Sequence, residues 1–117
     1  MVSKQPRKQR KALYNLPLHK RRAQMSAALD KTLKIQYKKN AFPLVKGDSV
    51  KIITGEYKGK AGKVTAVNLK RQIIHIEGIL TKKANGKEAF IPMRPSNVII
   101  TEFNLKDEKR KKILERK

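Results

Sequence analysis

The sequence predicts a mainly β protein, built as a small antiparallel SH3-like barrel with a basic N-terminal arm, short N-terminal helices and a C-terminal helix. Short segments with alternating apolar residues, separated by tight turns, fill residues 44–103. The flanking segments lack this alternation and are rich in Lys and Arg. A chain of 117 residues has room for one modest core, so one barrel is the natural unit.

Four segments of the middle region read as strands. They are "DSVKIIT", "GKVTAVNLK", "QIIHIEG" and "NVIIT". In the third, Ile74 and Ile76 are expected to face inward and His75 outward. In the second, Val64 and Val67 are three residues apart, which predicts a β-bulge or a strand buried on both faces. Asn85-Gly86 predicts a two-residue hairpin turn with positive φ at both positions.

The remaining segments divide the chain into four parts. Residues 1–16 have almost nothing to bury, so we interpret them as a basic arm that orders on its partner, the alternative being a disordered solubility tail. Residues 17–43 are interpreted as short helices, and residues 44–103 as the barrel. Residues 104–117 predict a terminal helix that Asn104 could cap.

Two faces are expected in the short helices. Leu18, Met25 and Leu29 lie at spacings of seven and four and would share one helix face. Asp30 is a candidate N-cap of a second helix, in which Leu33 and Tyr37 share a face.

The charge of the chain points to a polyanionic partner. It has 30 Lys and Arg against 9 Asp and Glu, a formal charge of +21. The excess is +12 in residues 1–46, +5 in residues 47–105 and +4 in residues 106–117, so it extends over the whole chain. Such self-repulsion is most easily explained by nucleic acid. An acidic membrane surface would also attract the charge, but the sequence offers no wide apolar helix face to insert beside it.

The cellular setting expected from the sequence is the cytoplasm. The chain has no cysteine, which excludes disulfides, thiolate metal sites and a cysteine nucleophile. No apolar run approaches the roughly 20 residues of a membrane span. The N-terminal residues include no apolar core of a secretory signal.

Enzymatic chemistry is not expected. The glycine-rich stretch "GEYKGKAGKV" is not a P-loop, since Tyr57 stands where the first glycine should be and Val64 where the hydroxyl should be. Its glycine spacing also differs from the dinucleotide fingerprint. His19 and His75 have no carboxylate cluster to form a metal site, and the few carboxylates make no acid/base pair. We expect no catalytic residue, metal or cofactor.

The same stretch suits a run of backbone phosphates. Between two strands, glycines permit positive φ and the close approach of another backbone. Its lysines would then meet the phosphate charge, and its N–H groups could point outward. A tight turn with solvated lysines is the alternative at this position.

The candidate RNA-binding residues fall into three groups. In the N-terminal region they are Lys4, Arg7, Lys8, Arg10, Lys11, His19, Lys20, Arg21 and Arg22. On one face of the second predicted helix they are Lys31, Lys34 and Lys38. In the barrel they are Lys51, Gly55, Tyr57, Lys58, Gly59, Lys60, Gly62, Lys63, Lys82, Lys83 and Lys87.

The aromatic residues are expected to pack rather than to stack on bases, with one exception. Apolar neighbours surround most of the six, which are Tyr14, Tyr37, Phe42, Tyr57, Phe90 and Phe103. Tyr57 lies in a polar loop and could stack on a sugar or base. No paired stacking aromatics occur on the strands, so base-specific reading should not dominate.

Residues 46–78 resemble the KOW motif. The match lies in Gly47-Asp48-x-Val50, Gly55, Lys58-Gly59 and Gly62-Lys63-Val64. The resemblance implies that Gly55 stands in the loop between the first two strands of an SH3-like barrel. The motif also occurs in transcription elongation factors, so an elongation-factor module remains an alternative, as does a basic DNA-binding protein without sequence preference.

The flanks resemble one family in particular. "SKQPRKQRKALYNLPLHKRRAQMSAALDKTL", "KKANGKEAFIPMRPSNVIIT" and "NLKDEKRKKILERK" are similar to the KOW-containing large-ribosomal-subunit protein, numbered twenty-four in bacteria and twenty-six in eukaryotes, in its archaeal and eukaryotic form. The ungapped "GKAGKVTAVNLKR" together with "PSNVII" leans toward the archaeal form. The resemblance implies a cytoplasmic structural protein that binds large-subunit rRNA near its 5′ domain, alongside neighbouring ribosomal proteins. It also implies a role early in subunit assembly and a place near the polypeptide exit tunnel. Where the bacterial form has a long loop, this chain has only the "KKANGKEA" turn.

Overall fold

Residues 3–43 contain three helices and two strands. The structure, a computed structural model, describes residues 3–116. Its first elements are α1 Pro6–Asn15, α2 Leu18–Gln24, β1 Ser26–Leu29, α3 Lys31–Tyr37 and β2 Ala41–Pro43. The later elements are β3 Ser49–Ile52, β4 Ala61–Asn68, β5 Ile73–Ile76, β6 Leu80–Lys82, β7 Glu88–Phe90, a 3₁₀ turn Pro95–Asn97, β8 Val98–Glu102 and α4 Glu108–Glu115.

The centre of the molecule is a six-stranded sheet in the order β2-β1-β8-β3-β4-β5. All neighbours run antiparallel except β1 and β8, which are parallel. An isolated bridge joins Ile74 of β5 to Met93, and β6 and β7 form a separate two-stranded hairpin. The mainly β, barrel-like fold with added helices is therefore confirmed.

Alternating apolar residues of the sheet strands form the core. In β5, Ile74 and Ile76 are fully buried, as the alternation predicts. In β4 the pairing with β5 shifts between Val64 and Ala66, so the bulge predicted from the spacing of Val64 and Val67 is present. The bulge lets β4 bend from one set of partners to the next, which helps the sheet curl around the core.

A strand lies where the sequence predicted only helix. Residues 26–29 form β1, and Ala27 and Leu29 are buried while their neighbours are half-buried. Met25 is also buried, but Leu18 is 57% exposed, so the proposed shared helix face does not exist. Alanines favour helices in isolation, and tertiary pairing with β2 and β8 overrides that preference here.

This strand changes the boundary of the barrel. Because β1 and β2 belong to the same sheet as β3, β4, β5 and β8, the sheet begins at Ser26 and not at residue 44. The expected unit of short helices, residues 17–43, is therefore partly barrel. Its second helix is present as α3, with Leu33 and Tyr37 packed against the core. Asp30 occupies the N-cap position, but its carboxylate accepts from the hydroxyl of Thr32 rather than from a backbone N–H.

Residues 6–15 form a helix where we expected an arm without structure of its own. Pro6 begins α1, where its missing N–H is not needed. No residue of this helix is buried, so it lies on the surface of the molecule. Ordering of this segment by RNA stays a prediction. Residues 1 and 2 lie outside the described range.

The hairpin turn differs from the predicted two-residue type. Lys83 donates its N–H to the carbonyl of Lys87 at 2.8 Å, and Gly86 donates to the carbonyl of Lys83 at 2.9 Å. The Lys83–Lys87 hydrogen bond closes a three-residue loop, residues 84–86, in which Gly86 alone has a positive φ, +81°. A type I turn followed by a left-handed glycine is a common three-residue hairpin loop.

Helix α4 is attached to the barrel by a buried ion pair. Nη1 of Arg110 lies 2.6 Å from Oδ1 of Asp48, and Nη2 lies 2.5 Å from Oδ2. Asp48 is fully buried and Arg110 is 2% exposed. The guanidinium also donates to the carbonyls of Asn104 and Pro43. Bidentate geometry and further hydrogen bonds are the conditions under which a buried pair offsets its desolvation.

The cap of α4 is not Asn104. Asp107 accepts a hydrogen bond from the N–H of Lys109 at 2.9 Å and caps the helix. Asn104 instead donates its own N–H to Asp48 and its side-chain amide to the carbonyl of Lys46. It thus joins the segment after β8 to the loop before β3, and the predicted cap position was wrong by three residues.

Candidate nucleic-acid interface

The glycine-rich loop between β3 and β4 is a closed turn. Ile52 donates its N–H to the carbonyl of Lys60 at 2.9 Å, and Gly59 donates to the carbonyl of Ile52 at 2.8 Å. The N–H groups of Lys58 and Lys60 bond the carbonyls of Gly55 and Tyr57. These four N–H groups are therefore taken within the protein, while the side chains of Lys58 and Lys60 are exposed.

The three glycines of the glycine-rich stretch are needed for different structural reasons. Gly55 and Gly59 both have φ of +88°, a conformation that glycine adopts without strain. Gly62 lies within β4, where a Cβ would be 2.6 Å from the carbonyl oxygen of Glu77. The backbone that approaches Gly62 closely in this structure is therefore the protein's own, at Glu77. Contact of these glycines with RNA stays a prediction.

Tyr57 contacts both the core and a lysine of the loop, and stacking of its ring on RNA stays a prediction. It is half-buried and packs against the core, and Nζ of Lys60 lies 4.9 Å from the centre of its ring. A cation over an aromatic face at this distance is attractive. The ring therefore holds Lys60 near the loop, and one of its faces is taken by the protein.

The lysines of the barrel have unlike surroundings. Lys51, Lys58 and Lys60 are exposed around the loop and its flanking strand. Lys63 is also exposed, but it shares a shallow groove with Glu77 and Glu102. Two carboxylates beside Lys63 lower the positive potential there, so the loop lysines are the stronger candidates for phosphate contact.

The N-terminal helices form the most basic part of the surface. Seven of the predicted RNA-binding side chains are exposed on these helices: Arg7, Lys8, Arg10, Lys11, His19, Lys20 and Arg22. Arg21 is also in α2, but it is half-buried. Lys4, just before α1, is exposed as well. Adjacent exposed cations on two helices form a broad positive surface that fits a phosphate backbone.

Arg21, unlike its exposed neighbours, hydrogen-bonds carbonyl groups of the protein itself. Its Nε donates to the carbonyl of Leu16 at 2.8 Å and Nη2 to the carbonyl of Tyr14 at 2.5 Å. Nη1 reaches the carbonyl of Lys70 at 3.4 Å. The guanidinium therefore fixes the elbow between α1 and α2 and ties it to the β4–β5 turn, so it positions the surface.

The β4–β5 turn adds residues that the sequence analysis missed. Gln72 of this turn hydrogen-bonds the side chain of Gln24 in α2. Lys70 and Arg71 are exposed in the same turn and so extend the basic surface of the N-terminal helices. Two adjacent basic residues in a turn were the available signal, but only the tertiary fold places them beside α2.

Two further predicted groups are exposed on other elements. Lys31, Lys34 and Lys38 lie on and just after α3, beside Ile35, which is 80% exposed. Lys82, Lys83 and Lys87 lie around the β6–β7 hairpin. On this hairpin Phe90 is 45% exposed and makes an edge contact with His75, so it is less buried than expected.

Of the other aromatic residues, three pack against one another and one is exposed. Tyr37, Phe42 and Phe103 pack edge to face, with centroid distances of 5.6 Å. The guanidinium of Arg110 lies 5.3 Å from the ring of Phe103 and 5.5 Å from that of Phe42. Tyr14 is 80% exposed, against the expectation of packing.

The basic side chains of the surface are rarely neutralised by the protein. Within residues 3–116 one ion pair lies within 4.0 Å, that between Arg110 and Asp48, and it is buried. The described residues contain no group of three or more histidine or acidic side chains that could hold a metal ion. Over the same range, no helix has the length and apolar content to cross a membrane.

A small barrel with exposed lysine clusters and little internal neutralisation is typical of structural proteins that bind polyanions. Family comparison gives the particular class: residues 3–117 match the model of the ribosomal proteins called L26 in eukaryotes and, in archaea, L24. The chain belongs to that family of ribosomal proteins, which are structural and not enzymes. The family resemblance of the sequence is thus confirmed. It extends over both flanks, so it selects the ribosomal family over the elongation-factor and DNA-binding alternatives.

Two archaeal relatives match over nearly the whole chain. Large ribosomal subunit protein uL24 of Methanosphaera stadtmanae is 47% identical over 116 residues, covering 99% of each chain. Large ribosomal subunit protein uL24 of Korarchaeum cryptofilum is 50% identical over 115 residues, covering 98% of this chain and 88% of the relative. The archaeal leaning of the sequence agrees with both.

Proposed function

We propose that this protein is a structural constituent of the large ribosomal subunit in the cytoplasm, where it binds large-subunit rRNA and contacts neighbouring ribosomal proteins. The observation that carries the proposal is a net charge of +21 with only one ion pair in residues 3–116, in a chain of this family. Exposed cations without carboxylate partners fit a partner that supplies phosphates.

The binding mechanism is docking by shape and charge. The closed loop of residues 53–60 presents Lys58 and Lys60 on a rigid turn, and the surface of α1 and α2 presents a wider set of cations. Contacts to phosphates set position and orientation and carry no sequence information. The protein would therefore recognise folded rRNA mainly by the arrangement of its backbone.

The family resemblance supports a more specific placement. It implies binding near the 5′ domain of the large-subunit rRNA, action early in subunit assembly, and a location near the polypeptide exit tunnel. The short β6–β7 hairpin, with its three-residue connection, does not extend far from the barrel. A location near the tunnel therefore does not require that this hairpin reach its mouth.

The salt dependence of rRNA affinity tests the proposal. The wild-type chain should give a steep negative slope of log affinity against log salt, with each phosphate neutralised contributing roughly 0.7–0.9. The double variant Lys58→Gln/Lys60→Gln should bind more weakly and lower the slope by about 1–2. Lys63→Gln is the matched control, because Glu77 and Glu102 lie in the same groove, and it should change the slope by less than about 0.5.

A slope near zero for the wild-type chain would contradict the proposal. Sedimentation of native particles in high salt gives an independent check. The protein should migrate with large subunits, and its recovery with RNA polymerase or with DNA would point to another function.

A further inference from the structure

The two N-terminal helices enclose a cleft that the phosphate contacts do not explain. Its volume is about 570 Å³. Its apolar wall comes from Ala12, Leu13 and Leu16, and its polar edge from Lys8, Gln9 and Lys20. Leu13 is 44% exposed, so the wall faces outward and is not closed by the barrel.

Hydrogen bonds within the protein shape the cleft. The three guanidinium contacts of Arg21, to the carbonyls of Tyr14, Leu16 and Lys70, fix the angle between the helices. Leu16 also donates its N–H to the carbonyl of Ala12 at 2.9 Å, which ends α1 at a defined point. A site held in shape by its own hydrogen bonds loses less entropy when a ligand binds.

The chemistry of the walls narrows the occupant to an anion with a flat apolar part. The lining includes two lysines and no carboxylate, and no acidic residue occurs between Ser3 and Leu29. An apolar peptide segment would match the leucines but would leave Lys8 and Lys20 without partners. Clefts of roughly 300–1,000 Å³ are typical for a small organic group.

We propose that this cleft receives a single unpaired nucleotide of the rRNA, with its base against Ala12, Leu13 and Leu16 and its phosphates at Lys8 and Lys20. The inference rests on the proposed function, since it assumes that RNA is the partner. Proteins that read RNA mainly do so at unpaired bases that leave the stack. The amide nitrogen of Gln9, at the edge of the cleft, donates to the carbonyl of Ser3 at 3.2 Å, and its amide oxygen could accept a hydrogen bond from the edge of such a base.

Filling the cleft without changing charge provides the test. Ala12→Phe places a ring inside it, while Ala23→Phe places the same ring on an exposed position of α2 outside the lining. Neither residue belongs to the core, so both variants should fold, which circular dichroism checks. Affinity of the full chain for a large-subunit rRNA transcript should fall about tenfold or more for Ala12→Phe, in line with losing one stacked base, and by less than about twofold for Ala23→Phe.

A second readout identifies the base. Wild type should protect one unpaired nucleotide of the transcript from base-specific chemical modification, and Ala12→Phe should restore its reactivity. The salt slope should fall by at most about 1–2 in Ala12→Phe, because only the phosphate contacts at Lys8 and Lys20 are lost with the nucleotide. A shallow salt dependence of rRNA affinity in wild type would instead contradict the proposed function.

Two results would overturn the inference while leaving the proposed function intact. One is equal rRNA affinity and an equal modification pattern for both variants. The other combines two observations: rRNA affinity is unchanged, and Ala12→Phe, unlike Ala23→Phe, is not incorporated into large subunits assembled with the other ribosomal proteins. This result would assign the cleft to a neighbouring protein.

Discussion

Asp48 and Arg110 show how one residue pair joins two parts of the molecule. The carboxylate of Asp48 accepts from the N–H groups of Val45 and Asn104 as well as from the guanidinium. The position of Asp48 is therefore fixed from the loop before β3, from the segment after β8, and from α4. Within the KOW-like motif, this Asp serves the attachment of the C-terminal helix.

Removing the charge of Asp48 should destabilise the whole domain. Asp48→Asn would leave the buried guanidinium of Arg110 without its counterion, and breaking such a pair costs about 3–5 kcal/mol. Urea denaturation measures the change in the free energy of unfolding. Lys109→Met, exposed on the same helix, is the control and should stay within about 0.5 kcal/mol. An equal, small effect of both substitutions would show that the pair is dispensable.

At the scale of elements, α4 is held by few side chains. Apart from Arg110, only Leu114 of this helix is buried, at 1% exposure, while its neighbour Ile113 is 37% exposed. Lys39 donates to the carbonyl of Ile113 at 2.6 Å and closes the end of the helix against the segment after α3. The helix thus depends on one apolar and one ionic anchor.

The adjacent residues Leu114 and Ile113 give a matched pair of truncations. Leu114→Ala should lower the free energy of unfolding by about 2–4 kcal/mol, because it opens a cavity under the helix. Ile113→Ala should cost about 1 kcal/mol or less, since its side chain already contacts solvent. Thermal or urea unfolding checks the difference, and equal losses would show that α4 is not docked through Leu114.

The dimensions of the whole molecule are comparable to the range of electrostatic repulsion at low salt. Its extents are 48 × 37 × 24 Å, and the Debye length is about 30 Å at 0.01 M salt and about 10 Å at 0.1 M. At low salt, positive charges up to about 30 Å apart therefore repel each other, which includes charges on opposite sides of the 24 Å dimension. The buried Asp48–Arg110 pair is screened much less than these surface charges.

Added salt should therefore stabilise the free protein. Raising NaCl from about 0.01 M to about 0.3 M should raise Tm by about 4 °C, which corresponds to roughly 1 kcal/mol for a domain of this size. The Lys58→Gln/Lys60→Gln variant, with a charge lower by two, should show a smaller rise. A fall in Tm with salt would mean that attractive surface pairs outweigh the repulsion.

The site residues show where sequence reasoning reached its limit. Exposure of the loop and helix lysines followed from their type and spacing, as did the positive φ of Gly55. Two roles did not follow: Arg21 bonds carbonyls, and Gly62 admits the backbone at Glu77. Both depend on which distant segment lies nearby, and local sequence carries no information on that.

The sequence by itself determined the excess of positive charge and the strand alternation of β3, β4, β5 and β8, and it predicted the bulge in β4 as one of two alternatives. These depend on composition and on neighbours within a few residues, where charge and apolar period act directly. Only the tertiary structure decided that residues 26–29 form a strand and that Arg110 is the anchor of α4. Both outcomes come from long-range pairing, in which burial against distant segments outweighs local helix preference and the cost of desolvating a charge.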